Sequence, residues 1–172
     1  MTAAVMLIGS PGAGKSSVLS ELSTLLETNR TAHGVIESEA LAQGWPMPTD
    51  HEWLSQLEAV VALQRQAGRD LLLVVATPES SAELAGLRRA VSSDVVKVVC
   101  LIAPANVAAN RISEREPDSW AGKAWLVGQA RRLAETIPLF DGIDVHVTTE
   151  GRAASAVAAE LYASLPEVFV LQ

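Results

Sequence analysis

The stretch Gly9-Ser10-Pro11-Gly12-Ala13-Gly14-Lys15-Ser16 matches the pattern G-x-x-x-x-G-K-[ST] at every defined position. An apolar run, Ala3–Ile8, precedes it, and residues with helical spacing follow it. Strand, glycine-rich loop and helix in this order are the context in which the pattern folds as a phosphate-binding loop. The glycines let consecutive backbone N–H groups face phosphate oxygens, and the helix N-terminus adds partial positive charge. The stretch therefore predicts a site for a nucleoside triphosphate.

The residues of this loop have distinct predicted roles. Lys15 is expected to reach the β- and γ-phosphates, both to bind the nucleotide and to act in catalysis. The Ser16 hydroxyl is expected to ligate Mg²⁺. The residues of this stretch predicted to contact the nucleotide are Gly9, Ser10, Pro11, Gly12, Ala13, Gly14, Lys15, Ser16 and Ser17.

Composition argues against several other classes of protein. The chain has 172 residues and a formal net charge of −7, which fits one domain over residues 1–172 and argues against nucleic acid as a partner. The single cysteine, Cys100, excludes a disulfide framework and favours a reducing cytosol. No apolar run approaches the roughly 20 residues that a membrane span needs. A cytoplasmic protein without a membrane partner is therefore expected.

Hydrophobic patterning predicts an α/β architecture. Continuous apolar runs at Ala3–Ile8, Leu71–Ala76 and Val95–Ile102 are typical of buried parallel strands. Weaker strands are expected at Ala32–Ile36 and around Ile143–Val147. Helical spacing fills the intervals between the strands, which predicts a parallel sheet covered by helices on both faces.

Local signals predict three further features. Thr77 and Pro78 are expected to cap and open the third helix. The fifth helix is expected to run from about Ser119 to Ile137. The segment Val168–Leu171 is unusually apolar for a tail, so it is expected either to pair as an edge strand or to pack at a dimer contact. Whether the protein is a monomer or a homodimer stays open.

The candidate site lies where the strands end, because ligands of open α/β sheets bind outside the carboxyl ends of the strands. Glu37 and Glu39 follow the second strand, and phosphoryl transfer to a hydroxyl needs a carboxylate that orients and deprotonates it. Glu37 is the predicted base and Glu39 the alternative. The competing interpretation is that both acids begin a solvated helix. Thr77 ends the third strand where many phosphate-loop enzymes carry an aspartate, which favours a small metabolite kinase over a motor or switch.

Two arginines follow the fourth strand. Arg111 and Arg115 are four residues apart and share one helical face. Guanidinium groups in this position stabilise the charge that spreads over the phosphoryl oxygens during transfer. The competing interpretation is an exposed helix face on which Glu114 and Glu116 pair with them.

The chain resembles the small P-loop kinases, namely the shikimate, gluconate and adenylylsulfate kinases and the chloramphenicol phosphotransferases. The resemblance spans nearly the whole chain. It rests on residues 9–16, the acid after the second strand, the Leu101–Pro104 strand end with the two arginines after it, and the strand Val145–Thr149. It implies a three-layer α/β P-loop NTPase fold with a five-stranded parallel sheet in the order 2-3-1-4-5. It also implies a mobile helical lid around residues 111–125.

The resemblance further implies roles for single residues and an activity. Arg111 would pack on the nucleobase, Arg115 would face the phosphates as a catalytic residue, and Arg152 would contact the nucleotide from the turn after the last strand. The implied activity is ATP- and Mg²⁺-dependent transfer of the γ-phosphate to a hydroxyl of a small molecule, with ATP or GTP as the nucleotide. The alternative is a nucleotide-binding regulatory module, or a slow NTPase without a small-molecule acceptor.

Overall fold

Five parallel strands form one sheet, and the computed structural model describes residues 1–169 of the chain. The strands are β1 (Ala3–Ile8), β2 (His33–Glu37), β3 (Leu71–Ala76), β4 (Val95–Ile102) and β5 (Val145–Thr148). Their spatial order is β2-β3-β1-β4-β5, which confirms the sheet implied by the resemblance. Ile8 lies opposite Ala76 on β3 and Cys100 on β4, so the carboxyl ends of the central strands meet at one edge.

Helices cover both faces of the sheet because successive side chains of a strand point to opposite sides. The helices are α1 (Lys15–Thr28), α2 (Asp50–Gln66), α3 (Ser81–Val91), α4 (Ala105–Arg115), α5 (Lys123–Thr136), α6 (Ala154–Ser164) and α7 (Pro166–Phe169). On one face α1, α6 and α7 pack against Val5 and Leu7, and on the other α2, α3 and the end of α5 pack against Met6 and Ile8. Among the helices of residues 1–169, none combines the length and apolar character that a bilayer span requires.

The third helix begins later than its sequence signals predict. Thr77 and Pro78 do not open α3, which starts at Ser81 with Ser80 as its cap. The Ser80 hydroxyl accepts a hydrogen bond from the Glu83 backbone N–H at 3.1 Å, and this cap replaces the expected one. Pro78 is instead buried in the connection that follows β3. As a result, Thr77 lies at the carboxyl end of β3 and lines the cleft that is described below.

The fifth helix also begins later, at Lys123 instead of about Ser119. Consecutive turns occupy the start of the expected helix, because the Trp120 N–H bonds to the Pro117 carbonyl and the Lys123 N–H bonds to the Trp120 carbonyl. The Lys123 ammonium pairs with Asp118 at 2.6 Å across these turns. The connection between α4 and α5 is therefore a structured turn region.

The described part of the apolar tail, Val168 and Phe169, belongs to a short helix and not to an edge strand. Val168 and Phe169 of α7 are buried in the core, and the Phe169 ring stacks on Tyr162 of α6 with 5.3 Å between ring centroids. Lys97 of β4 pairs with Glu167 at 3.1 Å on the same side. Burial of these side chains within the chain accounts for their apolar character and leaves them unavailable for a dimer contact. The remainder of the expected edge segment, residues 170–171, lies outside the described residues.

Candidate active site

The phosphate loop joins β1 to α1 in a shape that requires glycine at its centre. Gly12 has a φ of +81°, a backbone conformation that other residues rarely adopt. A Cβ atom at this position would lie 2.4 Å from the Ala108 carbonyl oxygen of α4. Gly9 is equally constrained, because its Cβ would lie 2.6 Å from the Leu101 carbonyl oxygen. The loop is therefore seated tightly against β4 and α4.

Lys15 lies across this loop. Its Nζ donates hydrogen bonds to the carbonyl oxygens of Gly9 at 2.8 Å and Ser10 at 3.1 Å. Burial of the ammonium group lowers the pKa of Lys15 from 10.5 to about 8. Among the nearby charges, Glu39 acts against this shift most strongly, Arg115 adds to it, and Glu37 opposes it more weakly. Burial therefore outweighs the opposing charges of the two acids, and within residues 1–169 neither acid forms an ion pair with Lys15.

One cleft of about 610 Å³ brings most of the predicted site residues together. Its lining from the predicted set is Pro11, Gly12, Gly14, Lys15, Ser16, Ser17, Glu37, Arg111 and Arg115. Glu39, Gln43, Val75 and Thr77 complete the side next to β2 and β3. The residues gather here because parallel strands place all their carboxyl ends at one edge of the sheet.

The two acids after β2 differ in their surroundings. Glu37 ends the strand and is exposed, whereas Glu39 lies in a 3₁₀ helix, Ser38–Ala42, and is partly buried. The Oε1 atom of Glu39 is buried and has no hydrogen-bond partner within residues 1–169. A buried carboxylate oxygen without a donor favours the binding of a hydroxyl or another hydrogen-bond donor.

Trp53 of α2 holds the acid-bearing segment in place. Its indole Nε1 donates a hydrogen bond of 2.7 Å to the Ser38 carbonyl, between the two acids. Trp53 is buried among the core residues that α2 packs against the sheet, and its position in the sequence gives no sign of this bond. A buried indole N–H usually has a hydrogen-bond acceptor, and this general rule is the one signal that could have indicated the bond from Trp53.

The two arginines of α4 make different contacts. Arg111 donates to the Gly12 carbonyl at 3.0 Å and to the Thr149 carbonyl at 3.4 Å, so it joins α4 to the phosphate loop and to the turn after β5. Arg115 is largely exposed and pairs with Glu116 at 2.7 Å. This pair matches the competing interpretation of an exposed helix face, although Arg115 also lines the cleft.

Thr149 is a site residue whose role the sequence did not indicate. It is buried, and its hydroxyl donates a hydrogen bond of 2.9 Å to the Ala13 carbonyl of the phosphate loop. The hydroxyl fixes the turn after β5 against the loop, and the Thr149 carbonyl accepts from Arg111. A threonine directly after a strand has no distinctive spacing, so only the packed structure reveals this contact.

A second pocket of about 240 Å³ continues the cleft on the α6 side. It shares Gly14, Ser17 and Arg111 with the main cleft and adds Thr149 and Arg152. The Arg152 guanidinium pairs with Glu160 and donates to the Thr148 carbonyl at 3.3 Å. Arg152 therefore lies apart from the main cleft, beside a pocket of a size suited to a nucleobase.

The residues of the cleft fit a magnesium ion that arrives with a nucleotide. Within residues 1–169 no cluster of three or more His, Cys, Asp or Glu side chains forms a separate metal centre. Mg²⁺ usually keeps several waters and takes few protein ligands when phosphates are present. The Ser16 hydroxyl and the carboxylates of Glu37 and Glu39 face this one cleft, which is a donor set of the kind that Mg²⁺ prefers.

The sequence matches a protein-family model that is described as an AAA domain. The match covers residues 5–135, which is more than half of the chain. The chain belongs to this AAA-domain family. The matched part of the AAA-domain chain contains the phosphate loop, both acids after β2 and both arginines of α4. No curated protein matches the sequence.

Solved structures show the same fold over nearly the whole AAA-domain chain. A sugar kinase from Janibacter sp. HTCC2649 is similar with a TM-score of 0.70 and 18% identity, covering 98% of this chain and 96% of that one. The APS kinase of Mycobacterium tuberculosis, in complex with AMPPNP and APS, has a TM-score of 0.60 and 24% identity, covering 95% and 97%. The shikimate kinase of Acinetobacter baumannii, in complex with shikimate, has a TM-score of 0.59 and 16% identity, covering 97% and 95%. The resemblance to the small P-loop kinases is thereby confirmed at the level of the fold.

Proposed function

We propose that this AAA-domain protein is a phosphotransferase that moves the γ-phosphate of ATP to a hydroxyl group of a small molecule. One observation carries the proposal: Lys15 and Ser16 face the same cleft of about 610 Å³ as Glu37 and Glu39. Phosphoryl transfer to a hydroxyl needs a phosphate-binding group and a carboxylate around one shared space. The fold shared with sugar, APS and shikimate kinases supports the same reaction class.

The proposed reaction is an in-line displacement. The acceptor oxygen bonds to the γ-phosphorus, the bond to the oxygen bridging the β- and γ-phosphates breaks, ADP leaves, and a carboxylate takes the hydroxyl proton. Lys15 pairs with the phosphates, and Arg115 exchanges its contact with Glu116 for the transferring group. Mg²⁺, when bound with the nucleotide, neutralises phosphate charge, and Ser16 is the residue proposed to hold it.

Two carboxylates are candidates for the base. Glu37 is the assignment from the sequence, and it stands at the end of β2 where the cleft begins. Glu39 is favoured by its buried oxygen, which has no hydrogen-bond partner among residues 1–169, and by its stronger electrostatic effect on Lys15. Under either assignment, the base belongs to the short segment Glu37–Glu39, which the hydrogen bond from Trp53 to the Ser38 carbonyl holds in place.

The nucleobase and the lid complete the proposal. The pocket beside Arg111 and Arg152 is proposed to take the nucleobase. The region around residues 111–125 is proposed to act as a lid that closes over the phosphates and excludes water. A single domain over residues 1–172, a cytoplasmic location and a monomeric or homodimeric state remain predictions.

The experiment that tests the proposal measures ADP release from ATP and Mg²⁺ with and without hydroxyl compounds. We expect a compound that accelerates ADP release and becomes phosphorylated, and we expect Lys15→Ala to abolish this turnover. Lys97→Ala is the matched control, because Lys97 pairs with Glu167 away from the cleft. ADP release that no hydroxyl compound accelerates would instead support a slow NTPase or a regulatory nucleotide-binding module.

The choice between the two acids needs a separate comparison. Glu37→Gln and Glu39→Gln keep the size of each side chain and remove its basicity. The variant of the true base should lose about 10²–10⁴-fold in kcat, the usual contribution of general base catalysis, with nucleotide affinity nearly unchanged. A loss confined to nucleotide binding in both variants would remove both acids from the proton-transfer step.

A further inference from the structure

The side of the cleft next to β2 and β3 continues into another cavity. This cavity has a volume of about 260 Å³, and Gln43 lines both it and the main cleft. Its other lining residues are Leu41, Pro46, Met47, Pro48, Glu52 and Gln56. We call this cavity, together with the part of the main cleft lined by Glu37, Glu39, Val75 and Thr77, the acceptor region. The acceptor region contains the two acids after β2, and none of its lining residues belongs to the phosphate loop. It is therefore available for the acceptor when a nucleotide occupies the loop.

The charges that line the two sides of the cleft are unequal. The cationic lining residues are Lys15, Arg111 and Arg115, and all of them belong to the phosphate loop or to α4. The acceptor region, as far as residues 1–169 describe it, is lined by no lysine, arginine or histidine. It contains Glu37, Glu39 and Glu52 instead. Once a triphosphate engages the cations, the acids of the acceptor region face no cationic side chain of their own within residues 1–169, and the Mg²⁺ of the nucleotide is the one counter-charge supplied nearby.

More acids stand behind this lining. Glu83 of α3 is half-buried, and its pKa is raised by burial and then by the nearby charges of Glu79, Asp50 and Glu39. Within residues 1–169, only one of these four acids forms an ion pair: Glu79 pairs with Arg132 at 2.6 Å. Burial is the main cause of the raised pKa of Glu83, and the negative charges of the neighbouring acids add to it.

The remaining lining suits the carbon skeleton of a small polar molecule. Leu41, Pro46 and Met47 supply an apolar wall, and Gln43 and Gln56 supply amide groups that hydrogen-bond to hydroxyls. Anionic acceptors do not fit this lining, because a carboxylate or phosphate there would face acids without a cationic partner. The acceptors present in the shikimate kinase and APS kinase structures, shikimate and APS, are anions.

We propose that the acceptor is a hydroxyl compound that also carries a protonated amine, an amino alcohol or amino sugar, held by the acids of the acceptor region. This inference rests on the proposed phosphotransferase activity and names its substrate class. The hydroxyl oxygen gains the phosphoryl group, its proton passes to Glu37 or Glu39, ADP leaves, and the ammonium group keeps its proton throughout. The ammonium is the counter-charge that the acceptor region lacks.

The test uses two trios of probes that differ mainly in charge. These are glucosamine, glucose and gluconate, and 1-amino-2-propanol, 1,2-propanediol and lactate. Each probe is added to the protein with AMPPNP and Mg²⁺ to measure thermal stabilisation, and to the protein with ATP and Mg²⁺ to detect phosphorylated product by mass spectrometry. We expect the amine to give the largest stabilisation in at least one trio and at least a tenfold higher kcat/KM than its neutral analogue. The advantage should shrink from 0.05 M to 0.5 M NaCl because salt screens the attraction.

Variants test whether the acids are responsible. Asp50→Asn and Glu83→Gln should raise KM for the amine about threefold to tenfold, with kcat within twofold and KM for ATP unchanged. KM for the neutral analogue should not move, which separates an electrostatic effect from a structural one. Glu58→Gln is the matched control on α2, because Glu58 lines a different cavity near Arg65 and Arg89.

The outcomes separate this inference from the function on which it rests. Phosphorylation that favours a neutral or anionic probe in every trio that is phosphorylated would overturn the amine proposal and leave the phosphotransferase proposal intact. Trios without any preference for the amine, including trios in which no member binds, would also overturn it. Absence of nucleotide binding, or no acceleration of ADP release by any hydroxyl compound, would overturn the proposed function itself.

Discussion

Nucleotide binding should weaken at alkaline pH because of the environment of Lys15. The pKa of its ammonium group is lowered to about 8 by burial in the free protein. A bound triphosphate favours the charged form and returns the pKa to its ordinary value or above. Binding therefore takes up a proton when the pH exceeds 8, and affinity that is fully present below pH 8 is lost above it. The apparent Kd should rise about tenfold between pH 7 and pH 9, equivalent to about 1.4 kcal/mol, and about 30-fold by pH 9.5.

The assay is isothermal titration calorimetry with AMPPNP and Mg²⁺ between pH 7 and pH 9.5. Buffers with different ionisation enthalpies give the number of protons taken up, which should rise from about 0.1 at pH 7 to about 0.9 at pH 9. The Cys100 thiol next to the loop does not contribute to the measured proton uptake, because burial raises its pKa to about 11. Lys15→Arg is the control, since a guanidinium stays charged throughout this range and should give a flat profile. A flat profile for the unmodified protein, or the same decline in Lys15→Arg, would show that the ionisation of Lys15 does not control nucleotide affinity.

Three further variants test the architecture of the site. Gly12→Ala should lower the free energy of unfolding by about 1–3 kcal/mol and abolish most nucleotide binding, because the added Cβ would lie 2.4 Å from a backbone oxygen. Denaturant unfolding checks this. The control, Gly128→Ala, should not destabilise the protein, because no neighbouring side chain or distant backbone lies within 4 Å of the added Cβ. Trp53→Phe removes the indole donor to the Ser38 carbonyl, so kcat should fall while nucleotide affinity holds; an unchanged kcat would show that the bond does not position the acids. Thr149→Val should cost about 1 kcal/mol and weaken nucleotide binding, since its hydroxyl donates to the phosphate loop; calorimetry and unfolding curves that match the unmodified protein would contradict this.

The fold could be predicted from the sequence because its signals are local. The apolar runs of β1, β3 and β4 agree with the structure residue for residue, and the phosphate loop follows β1 as the pattern requires. Boundaries were less predictable where two local signals compete. Ser80 and Glu83 form the cap of α3 where Thr77 and Pro78 offered an equally plausible start.

The site was only partly predictable because several of its contacts join residues distant in the chain. Thr149 reaches the Ala13 carbonyl across 136 positions, and Arg111 reaches the Gly12 carbonyl across 99. Such contacts leave no periodic pattern in a sequence. The place of Val168 and Phe169 was not predictable for a related reason: their burial depends on the packing of α7 against the sheet and α6. Apolar composition indicates that a segment is buried and does not indicate what covers it.

The most direct test of the proposed phosphotransfer follows the γ-phosphate itself. The protein is mixed with ATP labelled at the γ-phosphorus, Mg²⁺ and the hydroxyl compound that most stabilises the nucleotide complex, and the label is traced in a single turnover. We expect the label to appear in the acceptor, and we expect Lys15→Ala to abolish this transfer. Label that appears only as inorganic phosphate, at a rate that the acceptor does not change, would contradict the proposal.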